Sequence, residues 1–347
     1  MKKTLKLSVL WLARALGLFG LSRRLTRSKL RILCYHGGNI GDERQFNPLL
    51  FCSAEHLDAR VRWLKEKGFT VVPLDAAVDG LATPQARPAL PVVLTFDDGW
   101  YSTYAALLPV LARHGVPSTL YLCTQYFERG NPIPPVVLNY ILWKSGKSEI
   151  DLSGFGPGID GHHVLADRPA TRRLVEALVE QLEAIADPVA NRAFVERFAA
   201  AVGVSDAELD LASRRFDYVT PDELARIPGL GCAIELHGHV HLYPVGVPQR
   251  LKDDLAACAS VIRGQGLPEP RHYCYPSGDY DHNAHAALQE IGDRSATTCL
   301  PGLIDTATGR DVSYLPRFLD GERIHALEFE AEMSGFSDFL KRLAGRG

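Results

Sequence analysis

A chain of 347 residues in which 46% are hydrophobic and 23% charged can bury a full core, either as one large α/β domain or as a domain carrying an insertion, and it is neither disordered nor fibrous. Its 38 Lys and Arg nearly balance its 41 Asp and Glu, for a net charge of -3. No basic stripe crosses the middle of the chain, so a nucleic-acid partner is excluded as an expectation.

At the N-terminus, Lys2 and Lys3 precede an apolar stretch over residues 5–21, the layout of a signal peptide, but Lys6 and Arg14 interrupt it and leave no spanning run. Leu7, Leu10, Trp11, Ala15, Leu18 and Phe19 fall near helical spacing, with Lys6, Arg14, Arg23, Arg24 and Arg27 around them. This predicts an amphipathic helix within residues 1–30 that either lies on an anionic membrane surface through residues 1–27 or packs on the outside of the domain. Seven cysteines (Cys34, Cys52, Cys123, Cys232, Cys258, Cys274 and Cys299) form no CxxC pair and sit mostly in apolar runs. They favour a reducing compartment, so a cytoplasmic chain at the periphery of a membrane is expected over a secreted one.

Residues 31–35 (RILCY) predict a buried strand ending at His36, with a glycine-rich loop through Gly37, Gly38 and Gly41 after it. Ser53 caps a helix over 54–67 that stops at Gly68, and 70–74 follow as a short strand. A proline-rich link over 84–91 feeds a strand over 92–96, which Asp97-Asp98-Gly99 closes; a helix over 102–114 and a strand over 118–123 come next. Strand, loop, helix and strand in repeated order define an α/β fold, in which chemistry collects at strand ends. From 128 to 220 the pattern changes to Pro- and Gly-rich loops and long helical segments at 171–185 and 190–202, a mainly helical insertion. Order then returns: a helix start at 221–227, a strand at 232–236 delivering His237, a helix at 251–264, a strand at 272–275, the turn Pro276-Ser277-Gly278, a helix at 283–291, a strand at 296–299 and the segment 314–319. The expected organisation is therefore an N-terminal helix (1–30), two parts of one barrel (31–127 and 221–347) and the insertion between them (128–220).

Three segments carry chemistry. Asp97 and Asp98 repel one another at a strand terminus, so a cation or a proton-transfer task must separate their roles, although Asp-Asp-Gly alone is an ordinary turn. His237, His239 and His241 directly follow an apolar strand; two imidazoles and a carboxylate make a three-ligand set that leaves a metal position open for water. The spacing of four favours His237 and His241, with His239 pointing the other way along an extended segment. The turn around Ser277 exposes backbone N–H groups able to hold an oxyanion, though alone it too is merely a turn.

In this order, and each at a strand end, the three segments resemble the polysaccharide deacetylase family, the NodB-homology group of carbohydrate esterases, over roughly residues 31–318. The resemblance implies a distorted (β/α) barrel with a helical insertion. It implies Asp97 as general base, and Asp98, His237 and His241 as ligands of a divalent transition metal, zinc in the first place, although cobalt, nickel or iron suit such a set. Ser277 then offers its N–H to the oxyanion. The substrate implied is an acetylated amino-sugar glycan or, for a cytoplasmic enzyme, a lipid- or nucleotide-linked precursor of one.

The chain departs from the family pattern in three places. Gly238 replaces a hydroxyl residue of the His motif. Cys274 and Ser277 stand where the family has an Arg that braces the base and a Tyr, and Arg317, in a Leu-Pro-Arg segment similar to that of capsule- and lipopolysaccharide-assembly members, is the substitute brace. The last motif, Leu-x-His, which supplies the general acid, has Ile324-His325 as its nearest copy, so His325 is the expected acid, with His36 and His239 as rivals. These departures keep open a glycan-binding member without turnover. A zinc amidohydrolase is the weaker alternative, since its His pair belongs on the first barrel strand. Trp100, Asn139 and Trp143 are candidate sugar contacts.

Overall fold

The computed structural model describes residues 3–83, 88–130, 132–305 and 311–343; Lys2 and residues 84–87 of the proline-rich link lie outside them. The described strands are β1 (Arg31–Tyr35), β2 (Gly37–Gly38), β3 (Phe51–Cys52), β4 (Thr70–Val71), β5 (Pro91–Phe96), β6 (Ser118–Leu122), β7 (Glu149–Leu152), β8 (Gly161–Val164), β9 (Cys232–Leu236), β10 (His272–Cys274), β11 (Ser295–Thr297) and β12 (Phe318–Leu319). Eight of them form one sheet in the order β11-β10-β9-β6-β5-β1-β12, with β4 also pairing β5, and every pairing in it is parallel. Every residue of β1, β5 and β6 is buried, which is why these strands read as unbroken apolar runs rather than alternating ones.

The sheet curls into a half-barrel. Its two edges approach through Leu315, which bridges Thr297 of β11 three residues before β12 begins. Because the strands are parallel, their C-terminal ends share one rim, and residues that follow β1, β5, β9, β10 and β11 meet there. Helices Ala54–Glu66, Leu108–His114, Pro248–Gly264 and Ala284–Ile291 contribute Leu57, Val61, Leu111, Leu255, Ile262 and Leu288 to the main core around the sheet. Ser53 caps the first of these by accepting from the His56 N–H at 3.1 Å. The helix after β5 starts as a wide π-type segment, Thr103–Leu107; Pro109 has no N–H to close a normal turn on the residue four back.

Several elements differ from the sequence expectation. The strand expected over 70–74 ends at Val71, and a helix, Leu74–Ala82, takes over, since Pro73 fixes its φ at -60° and Leu74, Ala77 and Val78 then bury at helical spacing. The insertion also contains the antiparallel hairpin β7–β8. A second core gathers residues between Ile133 and Tyr218, joined by Phe51 and Trp100 from the half-barrel.

The N-terminal segment is two helices, Lys3–Ala15 and Leu18–Leu25, bent by 76° at a left-handed Gly17. Leu10, Ala13 and Phe19 pack against Ala331 and Phe336 of the last two helices, Ala326–Ser334 and Phe336–Leu343. Among the described residues no single helix is long and apolar enough to cross a membrane.

At the opposite rim from the strand ends, Asp293 is half-buried, and its Oδ2 is buried without any hydrogen-bond partner. Burial, reinforced by Glu235 and Glu269, pushes its carboxyl up to about 8. A carboxyl raised in the folded state stabilises the fold fully below its unfolded value, and that contribution is lost as pH climbs toward 8. Asp293→Asn should therefore flatten the fall in stability between pH 5 and 9 and gain about 1–3 kcal/mol at the alkaline end, read from urea midpoints; an unchanged pH slope would show that the carboxyl is not buried uncompensated.

Candidate active site

Asp97 and Asp98 follow the last residue of β5, and the Asp97 N–H donates to the Tyr35 carbonyl at 3.0 Å, extending the β1–β5 ladder by one step. Asp98 then turns left-handed at φ 76°, a conformation costly for a side chain bearing a Cβ and here held by its carbonyl accepting from the Cys123 N–H at 3.1 Å. Gly99 continues the turn at φ 97°, and a Cβ there would lie 2.3 Å from Leu122 Cδ1, so any other residue would be strained and would have to displace Leu122. The strand-end signal in the sequence thus reflects a strained turn that aims two carboxylates into one cavity.

Asp97 is gripped by Arg317. The guanidinium donates from Nη1 to Oδ1 at 2.7 Å and from Nη2 to Oδ2 at 2.8 Å, while its Nε donates to the Thr298 carbonyl and Nη1 also reaches Thr95 Oγ1. Both partners are buried, Arg317 to 1% exposure. Burial alone would raise the Asp97 carboxyl, but Arg317 outweighs it and holds the acid well below the usual carboxylate range. Nη2 also lies 2.9 Å from Cys274 Sγ, so the small thiol leaves room for a guanidinium arriving from another strand.

Asp98 faces two imidazoles: its Oδ1 is 3.1 Å from His237 Nε2 and 3.2 Å from His241 Nε2. His237 Nδ1 lies 2.8 Å from the Cys274 carbonyl oxygen, which can only accept, so Nδ1 carries the proton and Nε2 presents a lone pair to Asp98. Asp98 Oδ1 is correspondingly buried without a hydrogen-bond donor. A carboxylate oxygen and two imidazole nitrogens that converge on one point fit a cation, and the three residues form one of the groups whose ligand atoms all lie within 4.8 Å of one another.

The other expected residues divide. Ser277, left-handed at φ 57°, lines the cavity, and among the described residues its N–H has no backbone partner. His36 lines the cavity as well, with Nε2 3.8 Å from Asp97 Oδ2. His325 does not: it caps helix Ala326–Ser334, its Nδ1 accepting from the Leu327 N–H, on the side where the N-terminal helix packs. Ile324-His325 copies a sequence motif but not its place, because the chain has already left the rim after β12. His239 turns away toward Thr124 Oγ1 at 3.0 Å. Gly238 is left-handed at φ 87°, and a Cβ there would meet Asp254 Oδ2 at 2.8 Å. That carboxylate, from helix Pro248–Gly264, accepts from the His239 and Val240 N–H groups and holds the His loop in place of a hydroxyl.

The cavity has a volume of about 490 Å³. Its wall includes Trp100, Tyr126, Ile133, Val136, Asn139 and Tyr218, most of them from the insertion; Trp143 lies outside it. Trp100 and Asn139, two of the three candidate sugar contacts, thus line the cavity; Tyr126, Ile133, Val136, Tyr218 and Cys299, which line it as well, carry no local signal in the sequence, since apolar residues read equally as core.

A family model described as polysaccharide deacetylase matches residues 85–155 and 162–296, more than half of the chain. The chain belongs to the polysaccharide deacetylase family. Bacillus subtilis YxkH, named as a polysaccharide deacetylase, is 31% identical over 97 residues, a stretch covering 27% of this chain and only 32% of YxkH. Among solved structures the fold is similar to that of the Streptococcus pyogenes deacetylase PplD, with a TM-score of 0.57 at 14% identity over 89% of this chain and 99% of PplD. It is also similar to a de-N-acetylase from Aggregatibacter actinomycetemcomitans (TM-score 0.54, 17% identity, 88% and 99% of the two chains). IcaB from Ammonifex degensii is likewise similar (0.54, 16%, 88% and 97%). At these identities the structural likeness speaks for the fold.

Arg317→Ala strands a buried carboxylate, so it should destabilise the fold by about 3–5 kcal/mol; the double variant Arg317→Ala, Asp97→Ala should recover part of that loss. A denaturation series in which the two losses simply add would show the pair to be uncoupled.

Proposed function

We propose that this protein removes N-acetyl groups from an amino-sugar glycan, or from a lipid- or nucleotide-linked precursor of one, using a divalent transition metal held by Asp98, His237 and His241. Zinc suits two imidazoles and a carboxylate. The observation that carries the proposal is the buried Asp98 Oδ1 set 3.1 and 3.2 Å from the Nε2 atoms of two imidazoles, with a second, separately neutralised carboxylate one residue away. When bound, the cation supplies Lewis acidity that polarises the acetamide carbonyl and acidifies a water enough for a weak base to take its proton.

The chain's own residues do the rest. Asp97 accepts the proton, and Arg317 keeps it ionised and fixes both of its oxygens. The Ser277 N–H is the donor available to the developing oxyanion. His36 is the histidine positioned to protonate the leaving amine: it shares the cavity and stands beside Asp97, which His325 and His239 do not. Burial lowers the His36 pKa against the pull of Asp97 and Asp98, which makes its protonated form a stronger acid. The aromatic and aliphatic wall of the cavity suits the apolar face of a sugar ring and an acetyl methyl group. PplD, of similar fold, is described in complex with acetate, the product this reaction would release. With Arg317 in the brace position, the departure at Cys274 no longer favours a binding protein without turnover.

Three variants test the roles, with metal content read by elemental analysis and acetate release measured on N-acetylglucosamine oligomers. Asp97→Asn should keep the metal and lose about 10²–10⁴-fold in turnover; His237→Ala, His241→Ala should lose the metal; His36→Ala should lose turnover while His325→Ala stays within about twofold of wild type, as expected of a residue outside the reacting groups. Wild-type turnover in Asp97→Asn, or acetate release from a protein that neither holds nor takes up zinc or cobalt, would overturn the mechanism.

A further inference from the structure

The N-terminal helices hide one face and leave another bare. Leu5, Val9, Leu12 and Leu16 recur at spacings of four, three and four and are all exposed, Leu16 to 67%; across the elbow at Gly17, Leu18, Leu21 and Leu25 continue the pattern, Leu25 to 74%. Trp11 is 62% exposed, and Phe339 and Leu340 of the neighbouring last helix are exposed too. This is far more contiguous apolar surface than scattered single residues produce.

The charge around it has one sign. No Asp or Glu precedes Asp42, although the whole chain is net negative. Lys6 and Arg14 are ion-paired to Glu328 and Glu330, at 2.7 and 2.9 Å, and so tie the first helix along the body of the protein. Arg23, Arg24 and Arg27 have no ion pair among the described residues.

We infer that this elbow is an in-plane docking surface for an anionic lipid bilayer, with the leucine stripe entering the acyl boundary and the unpaired arginines meeting lipid phosphates. Charge decides the occupant. A second copy of this chain, docked two-fold on the same face, would set guanidinium groups against guanidinium groups, whereas anionic headgroups complement them. Taken together the two helices have the length and composition of a broken span, but the 76° bend and the two ion pairs that tie the first helix to the body of the protein oppose a membrane-spanning arrangement. The inference is independent of the proposed chemistry.

Co-sedimentation of the full chain with sucrose-loaded vesicles tests it. Wild type should pellet with vesicles of about one-third phosphatidylglycerol far more than with pure phosphatidylcholine, and the preference should fade with salt. Leu12→Gln, Leu16→Gln, Leu21→Gln combined should weaken binding by at least ~10-fold, with a thermal melt and acetate release like wild type. Arg23→Gln, Arg24→Gln, Arg27→Gln combined should lose the preference for anionic lipid. A wild type that stays in the supernatant, leucine substitutions that dissolve a dimer without touching vesicle binding, or membrane-bound protein that resists alkaline carbonate would each overturn the inference, the last two in favour of a second copy and of a spanning segment.

Discussion

The buried contact between Arg317 and Asp97 organises the site. Two adjacent carboxylates at the end of a parallel strand would repel, and each would drift toward protonation in a dry cavity. Arg317 removes Asp97 from that competition by satisfying both of its oxygens, and the same guanidinium ties Thr95, Thr298 and Cys274 together. It thereby links β5, β10, β11 and the segment entering β12, the place where the curled sheet is open. A single fully buried cation thus closes the half-barrel and ionises the base. An ion pair of this kind adds little net stability over an apolar filling, but it specifies geometry, because neither partner tolerates the absence of the other.

Cys274 shows how a family position can change residue without losing its task. Its side chain is small enough to let Arg317 occupy the space beside Asp97, and its carbonyl fixes the tautomer of His237. The backbone contribution is independent of residue identity, so only the side-chain role had to be taken over. The His loop repeats the pattern: Gly238 cannot carry the hydroxyl, and Asp254 binds the two following N–H groups from a neighbouring helix instead. In both cases a contact that the motif residue would make is supplied from elsewhere in the chain, which a motif search registers as a loss.

This explains which parts of the molecule were legible in the sequence. Strands β1, β5 and β6 announce themselves because burial on both faces makes largely apolar runs, and β9, CAIEL, does so less fully; the acids and histidines that follow β1, β5 and β9 stand out against those runs. Arg317 was readable only as a candidate, since nothing local marks an arginine that closes a sheet edge from 220 residues away. His36 and His325 could not be ranked by sequence: both follow or precede ordinary elements, and only the parallel register that sets Tyr35 level with Phe96 puts His36 at the rim. The helix Leu74–Ala82 and the hairpin β7–β8 were missed because short apolar runs fit either period, and tertiary packing chose between them.

Charge balance at the rim ties these features to metal binding. Asp97 and Asp98 contribute two negative charges and Arg317 one positive, so the buried cluster needs further positive charge. Without a metal that charge falls to a proton: burial opposes it on His241, but the contact with Asp98 prevails and lifts that imidazole above its ordinary value. The proton and the cation then compete for the same His241 Nε2 lone pair. Metal affinity should accordingly weaken as pH falls through the raised His241 value, and the ligand that yields first is the more exposed one, at the mouth of the cavity, while His237 and Asp98 stay fixed by the sheet.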